Sequence, residues 1–255
     1  MWSKKEVQNY CQWMQSPQGQ FILSQEKRLL AHLISNWPRK RQSLIDLGCG
    51  PGSFLNFFSQ AGFDVVGVDK NPHMLKAARK ITHNKIQLTL ADLQSLPFED
   101  NEFDFGALIL VLEFVDQVQI VLEEAQRVVK KGILLAFLNK FSFYYLQKKI
   151  FAPKNSPLTQ TNWYSWPQMK KIVVQYLHPS SYYARSTLLG PPSFWHNKTW
   201  KKLTQSIFFP PWMGSFVGIR ADILKTANLS KPLFVYEPTS TASNLCCPSL
   251  YLDKD

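Results

Sequence analysis

The sequence predicts an α/β fold, a doubly wound and mostly parallel sheet with helices on both faces. An apolar strand at residues 44–47 runs directly into glycines at positions 48, 50 and 52. A second strand, at residues 64–68, is followed by Asp69. Strands then alternate with amphipathic helices up to residue 139, which is the pattern of a parallel sheet covered by helices.

The glycine turn is the first candidate for a functional element. Gly48, Gly50 and Gly52 let the backbone turn tightly and come within contact distance of a ligand, and the following helix directs free amide groups toward the same place. On its own, the spacing is compatible with a plain tight turn or with a small-molecule cradle, because it matches the dinucleotide fingerprint only in part.

Asp69 favours the cradle. It lies 19 positions beyond Gly50, at the end of the next strand. Adjacent parallel strands end side by side, so its carboxylate is expected to face the glycines, where its two oxygens can accept both hydroxyls of a ribose. The alternative is a solvated strand-end acid. Asp92, which follows a strand at residues 86–90, is a second carboxylate at the same rim.

The remaining elements complete the sheet. Two late strands extend it as an antiparallel pair, so we expect seven strands with an antiparallel last strand. Asn71-Pro72 begins one helix by capping it, and Gly62 ends another. The other predicted helices cover residues 18–36, a stretch from residue 118, 165–177 and 194–209, and the other strands cover 105–111, 133–138, 181–189 and 215–224.

The domain organisation follows from these elements. We expect one domain over residues 1–227, with an N-terminal helical cap (1–40), a ligand-binding core (41–139) and a substrate-side segment with the last strands (140–227). Residues 228–255 read as a loosely ordered tail. The aromatic segment at residues 10–14 has two candidate roles, packing against the fold or closing over a ligand, and packing is favoured.

Composition limits the classes of protein. The 255 residues are 45% hydrophobic and 18% charged, which is typical of a globular chain. No apolar run approaches the roughly 18 residues of a membrane span, and the N-terminus lacks the apolar stretch of a signal peptide, so we expect a cytoplasmic protein. The four cysteines (Cys11, Cys49, Cys246, Cys247) show neither a disulfide framework nor metal-ligand spacing, which predicts reduced thiols and no metal.

The net charge of +11 raises nucleic acid as a partner. The basic residues are scattered in short pairs, such as Lys130-Lys131 and Lys170-Lys171, with no long basic run. This distribution favours a solvated basic surface.

Several motifs together resemble the class I S-adenosylmethionine-dependent methyltransferases, in the type 11 branch that is similar to ubiquinone and menaquinone methyltransferases. The resemblance covers roughly residues 21–138 and implies a Rossmann-like sheet and S-adenosylmethionine as cofactor. The motifs on which the resemblance rests are Asp46-Leu-Gly-Cys-Gly-Pro-Gly52, Gly67-Val-Asp69, Asn71-Pro72-His-Met74-Leu75, Ala91-Asp92, Leu96-Pro97-Phe98 and Phe103-Asp104.

The resemblance also implies a set of cofactor-binding residues. Asp46, Gly48 and Gly50 would surround the methionine portion and Asp69 would bind the ribose hydroxyls. Asp92 would meet the adenine amino group, beside the amide of Leu93. The complete implied set is Asp46, Gly48, Cys49, Gly50, Asp69, Lys70, Met74 (near the adenine ring), Asp92, Leu93 and Leu110 (near the methionine end).

The sequence departs from the family pattern at two places. Phe114 stands where many members carry a histidine, and the segment 127–132 is one glycine shorter and lacks the usual proline. No catalytic residue is assigned, because methyl transfer needs mainly alignment of donor and acceptor. General-base candidates are His178, His196, Tyr144 and Asp116.

Three functions remain open. The favoured one is transfer of a methyl group from S-adenosylmethionine to a small organic acceptor, motivated by the isolated domain and the apolar second half. The alternatives are an RNA methyltransferase, motivated by the net charge, and a non-catalytic cofactor-binding protein, motivated by Phe114 and the altered 127–132 segment. The aromatic residues of the second half fit either a plain core or a pocket lining.

Overall fold

A computed structural model describes residues 2–151, 161–196 and 207–223 of the chain. The strands are β1 (Ser43–Leu47), β2 (Asp64–Asp69), β3 (Gln87–Leu90), β4 (Phe103–Ile109), β5 (Val129–Leu138), β6 (Ser181–Thr187) and β7 (Phe216–Asp222). The α-helices are α1 (Lys4–Gln15), α2 (Pro17–Leu33), α3 (Leu55–Gln60), α4 (Pro72–Ile81), α5 (Val118–Val128), α6 (Phe143–Phe151) and α7 (Trp166–Leu177). Short 3-10 turns lie at Ile34–Asn36, Leu112–Phe114 and Pro192–His196.

The seven strands form one sheet in the order β3-β2-β1-β4-β5-β7-β6. The first five pair in parallel, and β7 pairs antiparallel with both β5 and β6. The predicted doubly wound, mostly parallel sheet with an antiparallel end is therefore confirmed. Because the parallel strands all point the same way, their carboxyl ends meet along one edge of the sheet.

The strand bounds differ from the predicted ones by one or two residues, except at the start of β5. β5 begins at Val129, four residues earlier than expected, because α5 ends at Val128 and the chain passes into the strand without a turn. The missing glycine and proline of segment 127–132 are thus explained by a direct helix-to-strand junction. β6 ends at Thr187 because Leu188 adopts a left-handed backbone conformation, with φ of 60°, which an extended strand cannot include.

Hydrophobic side chains cover both faces of the sheet. On one face, α5 and α7 bury Val121, Leu122 and Val173 against β4 and β5. On the other face, α2 and α3 bury residues such as Leu29 and Phe58. Helices therefore lie on both faces, as the alternation of strands and helices predicts.

The N-terminal segment forms two helices that meet at a sharp corner. Ser3 caps α1 with a capping box that it shares with Glu6, and Ser16 both ends α1 and caps α2. A side chain at Gly19 would lie only 2.2 Å from the Trp13 carbonyl oxygen, so the close approach of the two helices requires glycine there. The aromatic segment at residues 10–14 is the second half of α1.

Some of the sequence predictions concern residues outside the described ranges. These are the tail at 228–255, Cys246 and Cys247, and most of the helix predicted at 194–209. Cys11 and Cys49 are free thiols. None of the helices in the described ranges combines the length and the apolar composition that crossing a bilayer requires.

Candidate functional site

A cavity of about 450 Å³ lies at the carboxyl edge of the parallel strands. All the site residues that the sequence predicts line its wall. They are Asp46, Gly48, Cys49, Gly50, Asp69, Lys70, Met74, Asp92, Leu93 and Leu110.

The glycine turn after β1 shapes the floor of this cavity. The amides of Gly48 and Cys49 donate hydrogen bonds to the Val68 carbonyl, which ties the turn to the end of β2. Gly48 has a φ of 77°, and a side chain there would lie 2.3 Å from the Val111 side chain. Gly50 has a φ of 53°, and a side chain there would meet no atom within 4 Å. The space above Gly50 is therefore left open for a ligand.

Asp69 faces the glycine turn, as its position after β2 predicts. One carboxylate oxygen accepts a hydrogen bond from the Gly50 amide at 2.9 Å, and the other accepts one from the Asn71 amide at 2.8 Å. Burial raises the pKa of Asp69, while these two hydrogen bonds and the charge of Lys70 oppose the rise. Each oxygen keeps a lone pair for a further donor, so the carboxylate can still accept two ligand hydroxyls.

Asp46 lies deeper, on β1, and is 1% exposed. Its Oδ2 atom has no hydrogen-bond partner among the described residues. Burial, and then the negative charge of Asp69, raise its pKa to about 7. A buried carboxylate oxygen without a partner is costly, so this atom indicates a donor that a ligand brings.

The ends of β2 and β3 form the next wall. Asn71 caps α4 by accepting hydrogen bonds from the amides of His73 and Met74, which places the buried Met74 side chain at the cavity. Asp92 is exposed at the rim, where one of its oxygens accepts the Gln94 amide at 3.0 Å, and Leu93 is buried beside it. This part of the wall combines an apolar platform with an acidic edge.

Leu110 follows β4 in a left-handed conformation with φ of 53°, and its amide donates to the Ala136 carbonyl. A non-glycine residue in this region is uncommon and carries strain, which is often retained at functional sites. Leu110 lies between two walls of the cavity. One wall is formed by the ends of β1, β2 and β3, and the other is formed by the ends of β4 and β5.

The second wall contains residues that the sequence reasoning missed. Glu26 on α2, Glu113 in the 3-10 turn after β4, and aromatic rings from distant segments all line the cavity. The rings are those of Trp2, Tyr10, Trp13, Phe54, Phe114, Tyr144 and Trp195. A signal for Glu26 was present, because it falls on the apolar face of α2 between Ile22 and Leu29, where an acid is unexpected.

Glu113 is 2% exposed, and one of its oxygens accepts the Leu138 amide at 2.7 Å. Its second oxygen has no partner among the described residues. Burial raises its pKa to about 7, and the hydrogen bond from Leu138 opposes the rise. Phe114 also lines the cavity, and its ring lies 5.8 Å from that of Trp2.

Of the candidate general bases whose side chains the structure describes, one lines the cavity and two do not. Tyr144 lines the cavity. His178 is exposed at the end of α7, and Asp116 is exposed away from the lining residues. The His196 side chain lies outside the described part of the chain.

Comparison with known proteins finds a family match within the chain and a similar fold among solved structures. Residues 45–137 match the type 11 family described as a methyltransferase domain. The chain therefore contains a methyltransferase domain of the type 11 family. An S-adenosylmethionine-dependent methyltransferase of Thermotoga maritima, described as a possible histamine N-methyltransferase, aligns with a TM-score of 0.70 at 20% identity, over 87% of this chain and 98% of that chain.

Two curated relatives are similar to part of the chain. An uncharacterized protein of Methanocaldococcus jannaschii is 32% identical over 57% of this chain and 66% of its own length. A demethylmenaquinone methyltransferase of Staphylococcus carnosus is 34% identical over 37% of this chain and 41% of its own length. The chain thus spans less than two thirds of the length of these curated relatives.

The cofactor of this methyltransferase family is S-adenosylmethionine, and the cavity fits it. The open space above Gly50 admits a ligand against the backbone, and the Asp69 oxygens can take the two ribose hydroxyls. The Oδ2 atom of Asp46, which has no partner among the described residues, suits a positively charged donor. S-adenosylmethionine carries positive charge on its sulfonium and ammonium groups. The donor set of the cavity therefore agrees with this cofactor.

Proposed function

We propose that the chain transfers a methyl group from S-adenosylmethionine to a small organic acceptor. One observation carries this proposal: a single cavity joins the acidic strand ends of β1, β2 and β3 to an aromatic wall beyond Leu110. Donor and acceptor can thereby be held side by side in one enclosure.

The donor side of the cavity is the wall from Asp46 to Leu93. We infer that Asp69 holds the ribose hydroxyls, that Met74 and Leu93 hold the adenine ring with Asp92 at its edge, and that the glycine turn receives the methionine portion. Cys49 and Lys70 complete this wall. When bound, S-adenosylmethionine supplies an activated methyl group on a positively charged sulfur.

The acceptor side is built by β4, β5, the N-terminal helices and residues after 140. This agrees with a division into a helical cap (1–40), a cofactor core (41–139) and a substrate-side segment (140–227), which we propose for the chain. The aromatic rings of the acceptor side, together with Leu188, exclude water from the reacting atoms. Fixing donor and acceptor in line is worth about 7–11 kcal/mol in favourable cases, so alignment can supply much of the catalysis.

A small acceptor agrees with the shape and with the relatives. The cavity volume of about 450 Å³ is within the range of about 300–1,000 Å³ typical of sites for small molecules. The Staphylococcus carnosus relative carries a small-molecule substrate in its name. The wall is largely apolar, which suits an organic acceptor that enters the cavity whole.

Labelled methyl transfer tests this proposal. The purified chain is incubated with methyl-labelled S-adenosylmethionine and a cell extract separated into metabolite, RNA and protein fractions. We expect label in metabolites, and its loss with Asp69→Ala but not with the exposed Glu123→Gln. Label only in RNA or protein would contradict a small acceptor. No label in any fraction, with cofactor binding intact, would indicate a non-catalytic binding protein.

A further inference from the structure

Glu26 and Glu113 are the two buried acids of the cavity that cofactor binding leaves unexplained, and Glu26 is the one without a hydrogen bond from the backbone. It is 4% exposed and lies on the buried face of α2, the helix that packs against β6 and β7. Its carboxylate lines the cavity, and no hydrogen bond or ion pair joins it to another group in the described ranges. A buried carboxylate of this kind is costly unless a ligand supplies its partner.

The position of Glu26 assigns it to the acceptor side. β6 and β7 lie on the far side of β4 and β5 from the β1, β2 and β3 ends that carry the donor residues. Asp46 is the buried carboxylate beside the glycine turn, and Glu113 is held by the Leu138 amide. Glu26 is therefore separate from both of these acids in position and in bonding.

Aromatic rings from two other segments accompany Glu26. Burial and then the charge of Glu26 raise the pKa of Tyr144 to about 12, and the same two causes raise the pKa of Tyr10, so both phenols stay protonated. Tyr10 stacks on Trp13 with ring centroids 5.7 Å apart, and Tyr144 lies 5.8 Å from Trp195. Aromatic faces around one carboxylate form a typical environment for an organic cation.

We propose that Glu26 recognises the methyl acceptor, and that this acceptor is a small, predominantly apolar amine whose basic nitrogen receives the methyl group. The inference rests on the proposed methyl transfer. It adds the substrate class and the residue that selects it. A carboxylate facing an ammonium gains both charge pairing and a charge-assisted hydrogen bond. An alcohol of the same shape can supply only the hydrogen bond, and an ionised acid can supply neither.

The chemistry of this step balances without another reactant. The bound ammonium gives one proton to the Glu26 carboxylate, which frees the nitrogen lone pair. That pair forms the new nitrogen–carbon bond while the sulfur–carbon bond breaks, and the sulfur keeps the bonding electrons as a thioether. The product leaves as a methylated ammonium, and Glu26 later releases its proton to water.

The environment of Glu26 suits this exchange. Burial raises its pKa to about 8, the positive charge of Lys27 on the same helix opposes the rise, and Tyr10 and Tyr144 face it from α1 and α6. A carboxyl group with this pKa is closer to a bound ammonium in basicity than an exposed glutamate is, so proton transfer between them is easier. Glu26 thereby acts as both a recognition group and a proton acceptor.

A matched ligand series tests the proposal. The chain is first saturated with S-adenosylhomocysteine, and binding of 2-phenylethylamine, 2-phenylethanol and 3-phenylpropanoate is measured by calorimetry. These probes share a ring and differ in the charge of their polar end. We expect the amine to bind at least about tenfold more tightly than the other two, and Glu26→Gln to remove that preference. Glu123→Gln, which lies exposed on α5, should keep it.

Each outcome separates this inference from the proposed function. Equal binding of the three probes, or a preference that survives in Glu26→Gln, would overturn the role of Glu26 while the bound S-adenosylhomocysteine still supports the cofactor site. Loss of S-adenosylhomocysteine binding in Glu26→Gln would place the carboxylate on the donor side, which also overturns the inference. Failure of the wild type to bind S-adenosylhomocysteine would instead contradict the proposed function.

Discussion

Buried carboxyl groups set the electrostatics of the cavity at the scale of single residues. Asp46, Glu113 and Glu26 are each at most 4% exposed, and burial raises the pKa of the first two to about 7 and that of Glu26 to about 8. Ionising them without a ligand costs free energy, because their negative charge is poorly solvated. A positively charged ligand lowers this cost, so we expect the cavity to favour cationic groups.

The pH dependence of stability tests the burial of Glu26. Its pKa is higher in the folded chain than in the unfolded chain, so the folded state loses stability as pH rises from about 4.5 to about 8. Each pH unit in this window costs up to about 1.4 kcal/mol. Glu26→Gln does not titrate, so its unfolding free energy relative to wild type should increase between about pH 5 and about pH 8.

Urea unfolding without ligand measures this difference, and Glu123→Gln serves as the control that should follow the wild type at both values of pH. A constant difference between Glu26→Gln and wild type would contradict the raised pKa.

Asp69 and Glu26 show which residues sequence reasoning can identify. Asp69 was predicted because a strand end and a spacing of 19 residues from Gly50 determine its position, and its contact with the Gly50 amide agrees with that geometry. Glu26 was missed because its helix was interpreted only by its apolar positions. Its neighbours in the cavity, Tyr10 and Tyr144, lie on other segments of the sequence, and only the folded chain brings these segments to the same cavity.

Single elements hold the site together, and the turn after β1 is the most constrained. Gly48 and Gly50 both have positive φ, but a side chain at Gly48 would overlap Val111 whereas one at Gly50 would enter the open cavity. The same substitution is therefore expected to act on stability at one position and on ligand binding at the other.

The variants Gly48→Ala and Gly50→Ala test this distinction. Each variant should lose roughly 1–2 kcal/mol of unfolding free energy, because alanine is unfavourable in a left-handed conformation. Gly48→Ala should lose more because its side chain overlaps Val111. We expect Gly50→Ala to fold with a modest loss of stability and to bind S-adenosylhomocysteine at least about tenfold more weakly, because its methyl group occupies ligand space. Thermal unfolding and calorimetry measure the two effects. Normal binding by Gly50→Ala would show that the ligand does not approach this turn.

Helix α1 shows the limit of prediction at the scale of elements. The aromatic segment at residues 10–14 had two candidate roles, and the structure combines them. Met14 is buried in the core, while Tyr10 and Trp13 line the cavity. The Trp2 carbonyl accepts a hydrogen bond from the Asn71 side chain at the start of α4, so the N-terminus covers the donor wall. Local sequence could not distinguish these roles because α1 contacts not only the adjacent α2 but also α4, which begins more than 50 positions after α1 ends.

The architecture of the sheet was predictable at the scale of the whole molecule, but its strand order was not. Alternating strands and helices up to residue 138 favour a parallel arrangement, and the two late strands extend it beyond β5 as the expected antiparallel pair. Segments after residue 138 were harder to predict because single side chains position them. Asn139 is fully buried and donates to the carbonyls of Trp212 and Gly214, which are more than 70 positions away.

Charge is distributed differently on the surface and in the cavity. The pairs Lys130-Lys131 and Lys170-Lys171 are exposed, and Lys131 forms an ion pair with Asp104 at 3.0 Å. These pairs agree with a solvated basic surface, whereas the carboxylates of the cavity give its interior an acidic character. A net charge of +11 is therefore compatible with a site that selects cations.

Calorimetric titration of the wild type with S-adenosylhomocysteine tests the cofactor site most directly. We predict one molecule bound per chain, and affinity lowered by about 10- to 100-fold in Asp69→Ala, since hydrogen bonds to a charged group contribute roughly 1.5–3 kcal/mol. Glu123→Gln should bind like the wild type. No binding by the wild type, or equal affinity in Asp69→Ala, would contradict the placement of a methyl donor at the carboxyl ends of β1 and β2.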